Sequence, residues 1–226
     1  MTAGRHEQGA PANLLYQHAL KASAYLVSIV FHPLFIPLYA TWYIAFVHPV
    51  FFTGINEGIK YWILIRVFIN MVLFQTVAVL LLKGVGFIDS VLLKTPKDRI
   101  IPYITAGIFY FWMYLVFHNQ PAVPLIMSAF TFAAFLSSYA ALLANIYIKV
   151  SMHAIGMGGL IGLLLVVLFW THSAIAIPLP LMLIILATGM VCTSRMLISD
   201  HTQREIYTGL LIGIISQLIG AWWALS

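Results

Sequence analysis

The side chains best suited to chemistry lie in a short polar stretch near the end of the chain, where Arg195 is followed by His201 and Glu205. His201 and Glu205 are four residues apart, so on a helix they share one face. A carboxylate that accepts a hydrogen bond from one imidazole nitrogen fixes the tautomer and leaves the other nitrogen free as a nucleophile or base. Arg195, preceded by Ser194, adds a planar set of donors suited to phosphate oxygens. The stretch therefore predicts a phosphate-handling site; the alternative is a helix cap with ordinary ion pairs.

A second polar stretch, residues 149–153, opens another apolar segment and contains Ser151 and His153. The N-terminus of a helix offers unpaired backbone N–H groups and a positive dipole end, and both favour an anion. Ser151 can cap that helix or donate to a phosphate, and His153 can protonate a leaving oxygen. Taken alone, this pair is better explained by a serine cap and an interfacial histidine.

Three cations, Lys94, Lys97 and Arg99, precede a helix that we expect to start near Ile101. Together they can neutralise a phosphate, which carries up to about two negative charges. For the two lysines, the alternative is a positively charged loop that sets the membrane topology. Arg99 lies closest to the apolar segment and is the preferred phosphate ligand of the three.

Composition places the chain in the membrane. Of its 226 residues, 62% are hydrophobic and 8% are charged, whereas a soluble domain carries about 25% charged residues. The net charge of +5 comes from cations between apolar segments, a pattern that suits membrane orientation and anionic head groups better than nucleic acid. Cys192 is the only cysteine of the chain, which excludes an intramolecular disulfide.

Hydropathy predicts an all-α, polytopic bundle of six to seven transmembrane segments. We expect a polar, partly disordered tail over residues 1–21 and a single transmembrane domain over residues 22–226. Prolines 33 and 37 interrupt the first segment, which should therefore be kinked or re-entrant. The remaining histidines, His32 among them, are interpreted as interfacial or disordered. The seven predicted segments cover residues 22–47, 61–82, 101–117, 123–148, 153–170, 178–196 and 205–224.

The order of these segments brings the polar stretches together. Two short connections, 118–122 and 171–177, make tight hairpins, so the polar junctions 83–102, 149–153 and 195–205 fall on one side of the membrane. A charged side chain at bilayer depth costs roughly 2.5–3.5 kcal/mol on insertion scales and usually marks a functional site. The three junctions are therefore predicted to form one site.

These residues resemble the three motifs of the type-2 phosphatidic acid phosphatase (PAP2) superfamily, Lys-x6-Arg-Pro, Pro-Ser-Gly-His and Ser-Arg-x5-His-x3-Asp. Ser194, Arg195 and His201 match the third motif at unchanged spacing, with Glu205 in place of its aspartate. The resemblance covers about residues 82–224.

The other two motifs match less closely. Ser151 and His153 match the second, with Val150 in place of proline and Met152 in place of glycine. In the first, Arg99 is followed by proline only three residues later, and Lys94 or Lys97 has to stand in for the motif lysine.

The resemblance implies a metal-independent lipid phosphatase that needs no cofactor. His201 would attack phosphorus and form a phosphohistidine, Glu205 would orient it, and His153 would protonate the leaving oxygen. The substrate would be an amphiphilic lipid such as phosphatidic acid, phosphatidylglycerol phosphate, a polyprenyl diphosphate or a lipid A phosphate. The equatorial phosphate oxygens would be held by cations and hydroxyl groups: Arg195, Arg99, Lys94, Lys97, Ser151 and Ser194.

The resemblance also implies a multi-pass protein of the bacterial inner membrane. Bacterial members of the family usually carry the site on the outer face, whereas the excess of Lys and Arg on the motif side predicts a cytoplasmic one.

Three alternatives remain open from the sequence. The same site can serve a lipid phosphotransferase, or the scaffold can bind or transport a lipid head group without turnover. A metal-dependent hydrolase with His153, His201 and Glu205 as ligands is the third, although the surrounding positive charge would repel a cation.

Overall fold

The structure, a computed structural model, describes residues 10–93, 95–171, 178–199 and 201–225. Within these ranges the regular structure is helical, which confirms the all-α class. A π-helical turn, Tyr43–Val47, extends α2, and a second, Phe68–Leu73, joins α3 to α4. The α-helices are α1 (Ala10–Val30), α2 (Ile36–Trp42), α3 (Glu57–Val67), α4 (Phe74–Gly84), α5 (Pro96–His118), α6 (Leu125–Ala144), α7 (Met152–Thr171), α8 (Pro178–Ile198) and α9 (Gln203–Leu225).

Six helical stretches in the described chain are long and apolar enough to cross a bilayer. The first is formed by α3 and α4 together, and the other five are α5 to α9. Half of the α6 and α7 spans is buried, compared with 22% of the α8 span, so α6 and α7 form the centre of the bundle. The chain is an integral, multi-pass membrane protein.

The first predicted segment, residues 22–47, is not one span. Helix α1 starts at Ala10, inside the region expected to be a tail, and ends at Val30; residues 1–9, where disorder was expected, lie outside the described residues. After a turn, the apolar stretch Ile36–Val47 is only 12 residues long, about 18 Å at 1.5 Å per residue. That length does not cross the roughly 30 Å of a hydrocarbon core.

The start of α5 also differs from the prediction. The helix begins at Pro96 instead of near Ile101, so Lys97 and Arg99 lie in its first turn and do not precede it. Thr95 and Asp98 form a capping box that stabilises this earlier start, and Pro96 supplies the fixed φ favoured at the first helical position. Pro102, which suggested the boundary, lies inside the helix.

The helices α7 and α9 run parallel and touch through their backbones. A Cβ atom on Gly213 would lie 2.2 Å from the carbonyl oxygen of Ile155, and one on Gly158 would lie 2.3 Å from that of Leu210. Gly158 and Gly213 belong to two Gly-x-x-x-Gly pairs, 158/162 and 209/213. Such small-residue pairs allow transmembrane helices to approach closely.

This contact predicts a position-specific response to added side-chain volume. Gly213→Ala should lower the free energy of unfolding by about 1–3 kcal/mol, because the new methyl group overpacks the contact with α7. The matched control is Gly159→Ala, whose Cβ would meet nothing within 4 Å and which should be neutral or stabilising, since alanine favours helix more than glycine does. The measurement is the melting temperature of the detergent-solubilised protein. Equal melting temperatures for the two variants would contradict the backbone contact.

Candidate functional site

Three connections between the spans meet at one end of the bundle. The Asn145 side-chain amide donates to the carbonyl of Pro96 at 2.8 Å, which joins the end of α6 to the start of α5. The backbone N–H of Ser151 donates to the carbonyl of Glu205 at 3.4 Å, which joins the starts of α7 and α9. The polar junctions of the sequence therefore lie side by side, as the order of the segments predicts.

His201 and Glu205 form the most direct contact in the site. Nδ1 of His201 lies 2.8 Å from Oε2 of Glu205, and the His201 side chain is 2% exposed. Because a carboxylate accepts, Nδ1 carries the proton and Nε2 keeps its lone pair. The imidazole therefore has the tautomer that a nucleophile at Nε2 requires.

The same carboxylate is also part of the cap of α9. The N–H of Thr202 donates to Oε2 of Glu205 at 3.1 Å, and the N–H of Glu205 donates to Oγ1 of Thr202 at 3.3 Å. This reciprocal pair is a capping box. Glu205 is therefore held in place by the helix start while it orients His201.

The surroundings of His201 favour its neutral form. Burial lowers the pKa of His201 below its ordinary value of 6.5, and the positive charges of Arg99 and Lys149 act in the same direction. The hydrogen bond and the negative charge of Glu205 oppose this shift without cancelling it. At neutral pH the ring is therefore uncharged and its Nε2 lone pair is available.

Arg99 is buried, at 4% exposure, between two of the connections. Its Nε donates to the carbonyl of Leu93 at 2.9 Å, and its Nη1 donates to the carbonyl of Val150 at 2.6 Å. These bonds hold a permanent positive charge next to the start of α7. A guanidinium has five donors, so two backbone bonds do not exhaust its capacity for an anion.

Ser151 and His153 lie at the start of α7. Oγ of Ser151 accepts from the N–H of Ala154 at 3.4 Å, so the serine caps the helix. Nε2 of His153 lies 3.1 Å from the carbonyl oxygen of Ser28 in α1, and it donates because a carbonyl only accepts. That bond leaves Nδ1 of His153 as the nitrogen that can exchange a proton with a ligand.

Arg195 lies in the last turn of α8, beside His153, with which it interacts electrostatically. Its Nε is buried and, among the described residues, has no hydrogen-bond partner. The preceding Ser194 is buried too, but its hydroxyl donates to the carbonyl of Met190 in its own helix at 2.8 Å. Of these two predicted phosphate ligands, Arg195 is therefore the one with a buried donor that lacks a hydrogen-bond partner in the described chain.

The two predicted lysine ligands are not drawn into this cluster. Lys94 lies outside the described residues. Lys97 is exposed on the first turn of α5, and within the described ranges no hydrogen bond or ion pair joins it to the other site residues.

The sequence did not predict that α1 and the turn after it contact His153. The rings of His32 and His153 meet edge to face with their centroids 5.4 Å apart. Burial lowers the pKa of His32, and the charge of nearby Arg195 lowers it further. The only signal in the sequence was a histidine next to Pro33 in an apolar segment; we interpreted the histidine as interfacial or disordered and the proline as a kink.

The described residues contain no group of three or more His, Cys, Asp or Glu side chains arranged to hold a metal ion. His153, His201 and Glu205, the ligands of the metal-dependent alternative, do not form such a group there.

The pKa of His201 provides a test of this geometry that does not depend on activity. Glu205→Gln should lower that pKa further, because it removes the negative charge that favours the protonated ring. The measurement is a pH titration of histidine ring NMR signals in detergent micelles, with the His201 signal assigned from His201→Ala.

The control for this titration is Glu57→Gln, which changes a carboxylate paired with Lys60 in α3 and should leave the titration of His201 unchanged. A pKa of His201 that rises, or does not move, in Glu205→Gln would contradict the contact.

Comparisons of the chain with known proteins give no relative. No protein-family model, curated protein or solved structure matches it. The chemistry of the site is therefore inferred from its own residues.

Proposed function

We propose that this protein is an integral-membrane lipid phosphate phosphatase that works through a phosphohistidine on His201. The observation that carries the proposal is the 2.8 Å contact between Nδ1 of His201 and Glu205, which leaves Nε2 as a neutral, oriented nucleophile. The resemblance of Ser194, Arg195 and His201 to the third PAP2 motif supports the same assignment.

The reaction would proceed in two displacements at phosphorus. In the first, Nε2 of His201 attacks in line, the N–P bond forms and the bond from phosphorus to the lipid oxygen breaks, while His153, starting in its protonated form, gives its Nδ1 proton to that oxygen. In the second, His153 accepts a proton from water as the water oxygen attacks phosphorus. The N–P bond then breaks and inorganic phosphate leaves.

Positive groups would stabilise the charge on the three equatorial oxygens. Arg99 is fixed by two backbone carbonyls, and Arg195 has a buried donor with no partner in the described chain. The starts of α7 and α9 add the positive ends of two helix dipoles. Preorganised donors of this kind are commonly the largest contribution to catalysis of phosphoryl transfer.

The location of the site supports a lipid as the substrate class. The catalytic groups are at the ends of membrane spans, so a substrate whose tail stays in the bilayer can present its phosphate without leaving the membrane. Phosphatidic acid, phosphatidylglycerol phosphate, a polyprenyl diphosphate and a lipid A phosphate all meet this requirement. With the PAP2 resemblance, we assign the protein to the bacterial inner membrane.

A second candidate function is the binding of a lipid head group without turnover. It is favoured by the bond between His153 and the carbonyl of Ser28, which occupies one nitrogen of the residue assigned as the acid. Met152, which takes the place of the motif glycine next to His153, also favours binding without turnover.

The proposed activity predicts the release of phosphate from a lipid. The purified protein should release inorganic phosphate from at least one lipid phosphate or diphosphate in excess EDTA, and His201→Ala should reduce release to background. His118→Ala is the matched control, because His118 lies at the opposite end of α5. Release by His201→Ala would disprove the nucleophile assignment, and lipid phosphate binding without release would favour the second candidate.

The proposed phosphate clamp predicts a requirement for the planar guanidinium of Arg195. Arg195→Lys should lower kcat by about 10²-fold, the cost typical of losing one preorganised donor to an oxyanion, because an ammonium cannot reproduce the planar fork of a guanidinium. Arg66→Lys, in α3, makes the same substitution away from the site and should leave kcat unchanged. A near-normal rate for Arg195→Lys would remove this residue from the phosphate clamp.

A further inference from the structure

The last turn of α1 and the turn after it border the arginine and histidine of the candidate site. The carbonyl of Ser28 accepts from His153 at 3.1 Å, and the His32 ring packs against the His153 ring at 5.4 Å. Helix α1 also packs along α8, the helix that carries Arg195 in its last turn. None of the three PAP2 motifs that the chain resembles includes a residue of α1.

The hydrogen bonding of His32 defines which of its nitrogens can donate. Its Nδ1 lies 3.3 Å from the backbone N–H of Leu34, which can only donate, so Nδ1 is the acceptor. The proton of the neutral ring is then on Nε2. Burial and the charge of Arg195 both lower the pKa of His32, which keeps the ring neutral and Nε2–H a donor.

Two other polar atoms of the same cluster lack partners in the described chain. Both Oγ of Ser28 and Nε of Arg195 are buried without a hydrogen bond. A buried polar group left unpaired destabilises the folded protein, and unpaired groups in native structures call for an explanation. The guanidinium can only donate and the hydroxyl can donate, so an acceptor such as an oxyanion would satisfy both.

We propose that His32 and Ser28 are further phosphate ligands, with Nε2–H of His32 and Oγ–H of Ser28 donating to oxygens of a tetrahedral oxyanion held by Arg195. This inference rests on the proposed function, since it extends the same phosphate site. The ligand class is a phosphate monoester or inorganic phosphate. The two neutral donors would orient the oxyanion, whereas the arginines would balance its charge.

The test compares two substitutions at His32 that separate donation from packing. His32→Phe keeps a ring against His153 and removes the donor, whereas His32→Gln places an amide N–H near the position of Nε2. Binding of inorganic phosphate is measured by calorimetry, and KM and kcat are measured with the lipid phosphate that the wild type turns over best. His18→Phe is the matched control, because His18 is an exposed histidine of α1.

We expect His32→Phe to raise both the Kd for inorganic phosphate and the KM by about tenfold or more, the usual effect of losing a hydrogen bond to a charged group. His32→Gln should stay within threefold of the wild type, and His18→Phe should match it. An unchanged Kd in His32→Phe, or equal losses in His32→Phe and His32→Gln, would overturn the donor role. No saturable phosphate binding by the wild type would overturn it as well.

The same data separate this inference from the proposed function. Phosphate binding that depends on His32, without turnover of any lipid, would defeat the phosphatase and support the inference. Turnover that depends on His201 but not on His32 would support the phosphatase and defeat the inference.

If His32→Phe does not fold, a smaller substitution at Ser28 tests the same phosphate site. Ser28→Ala should raise the Kd for inorganic phosphate several-fold, because it removes only a hydroxyl group, while Ser23→Ala, at an exposed serine of α1, should not. Equal Kd values for these two serine variants would overturn the proposal.

Discussion

The arrangement of the site depends on the contact between α7 and α9, two parallel helices without side chains at their points of closest approach. Gly158 and Gly213 allow the two backbones to touch, and the 3.4 Å bond from Ser151 to Glu205 joins the helix starts. This contact sets the start of one helix, which carries His153, beside the start of the other, which carries Glu205. A wider separation would break the bond and move the two histidines apart, whatever their own hydrogen bonds.

The electrostatics of the site follow from this arrangement. Arg99 and Arg195 interact with each other across the cluster, and three helix starts, those of α5, α7 and α9, add positive dipole ends. Like charges repel more strongly where burial excludes water. Glu205 and the two carbonyls that bind Arg99 offset part of this repulsion. A bound anion would offset more, so the packing that holds these groups together would also favour the binding of an anion.

The sequence predicted that the polar junctions meet and that His201 pairs with Glu205, but it missed the true start of α5 and the contact of His32 with the site. The four-residue spacing of His201 and Glu205 was enough to predict that they meet, but the contact forms across the start of α9, because His201 precedes the helix and Glu205 lies in its first turn. The start of α5 was misplaced, because Pro102 suggested a boundary that the capping box at Thr95 overrides. His32 was missed, since its neighbour His153 lies more than a hundred residues away and no local pattern predicts that contact.

In this protein one residue, Glu205, both caps a helix and belongs to the candidate site. Two spans begin with the same device, a threonine followed three residues later by a carboxylate. In α5, Asp98 reaches the N–H of Thr95 at 3.4 Å and that of Asp89 at 3.1 Å, which holds the loop before the helix. In α9, Glu205 reaches its threonine N–H at 3.1 Å with the same oxygen that bonds His201. The reading of this stretch as an ordinary helix cap is therefore compatible with a catalytic one. Glutamate at the motif's aspartate position is the residue that a capping box favours, and here it orients the histidine as well.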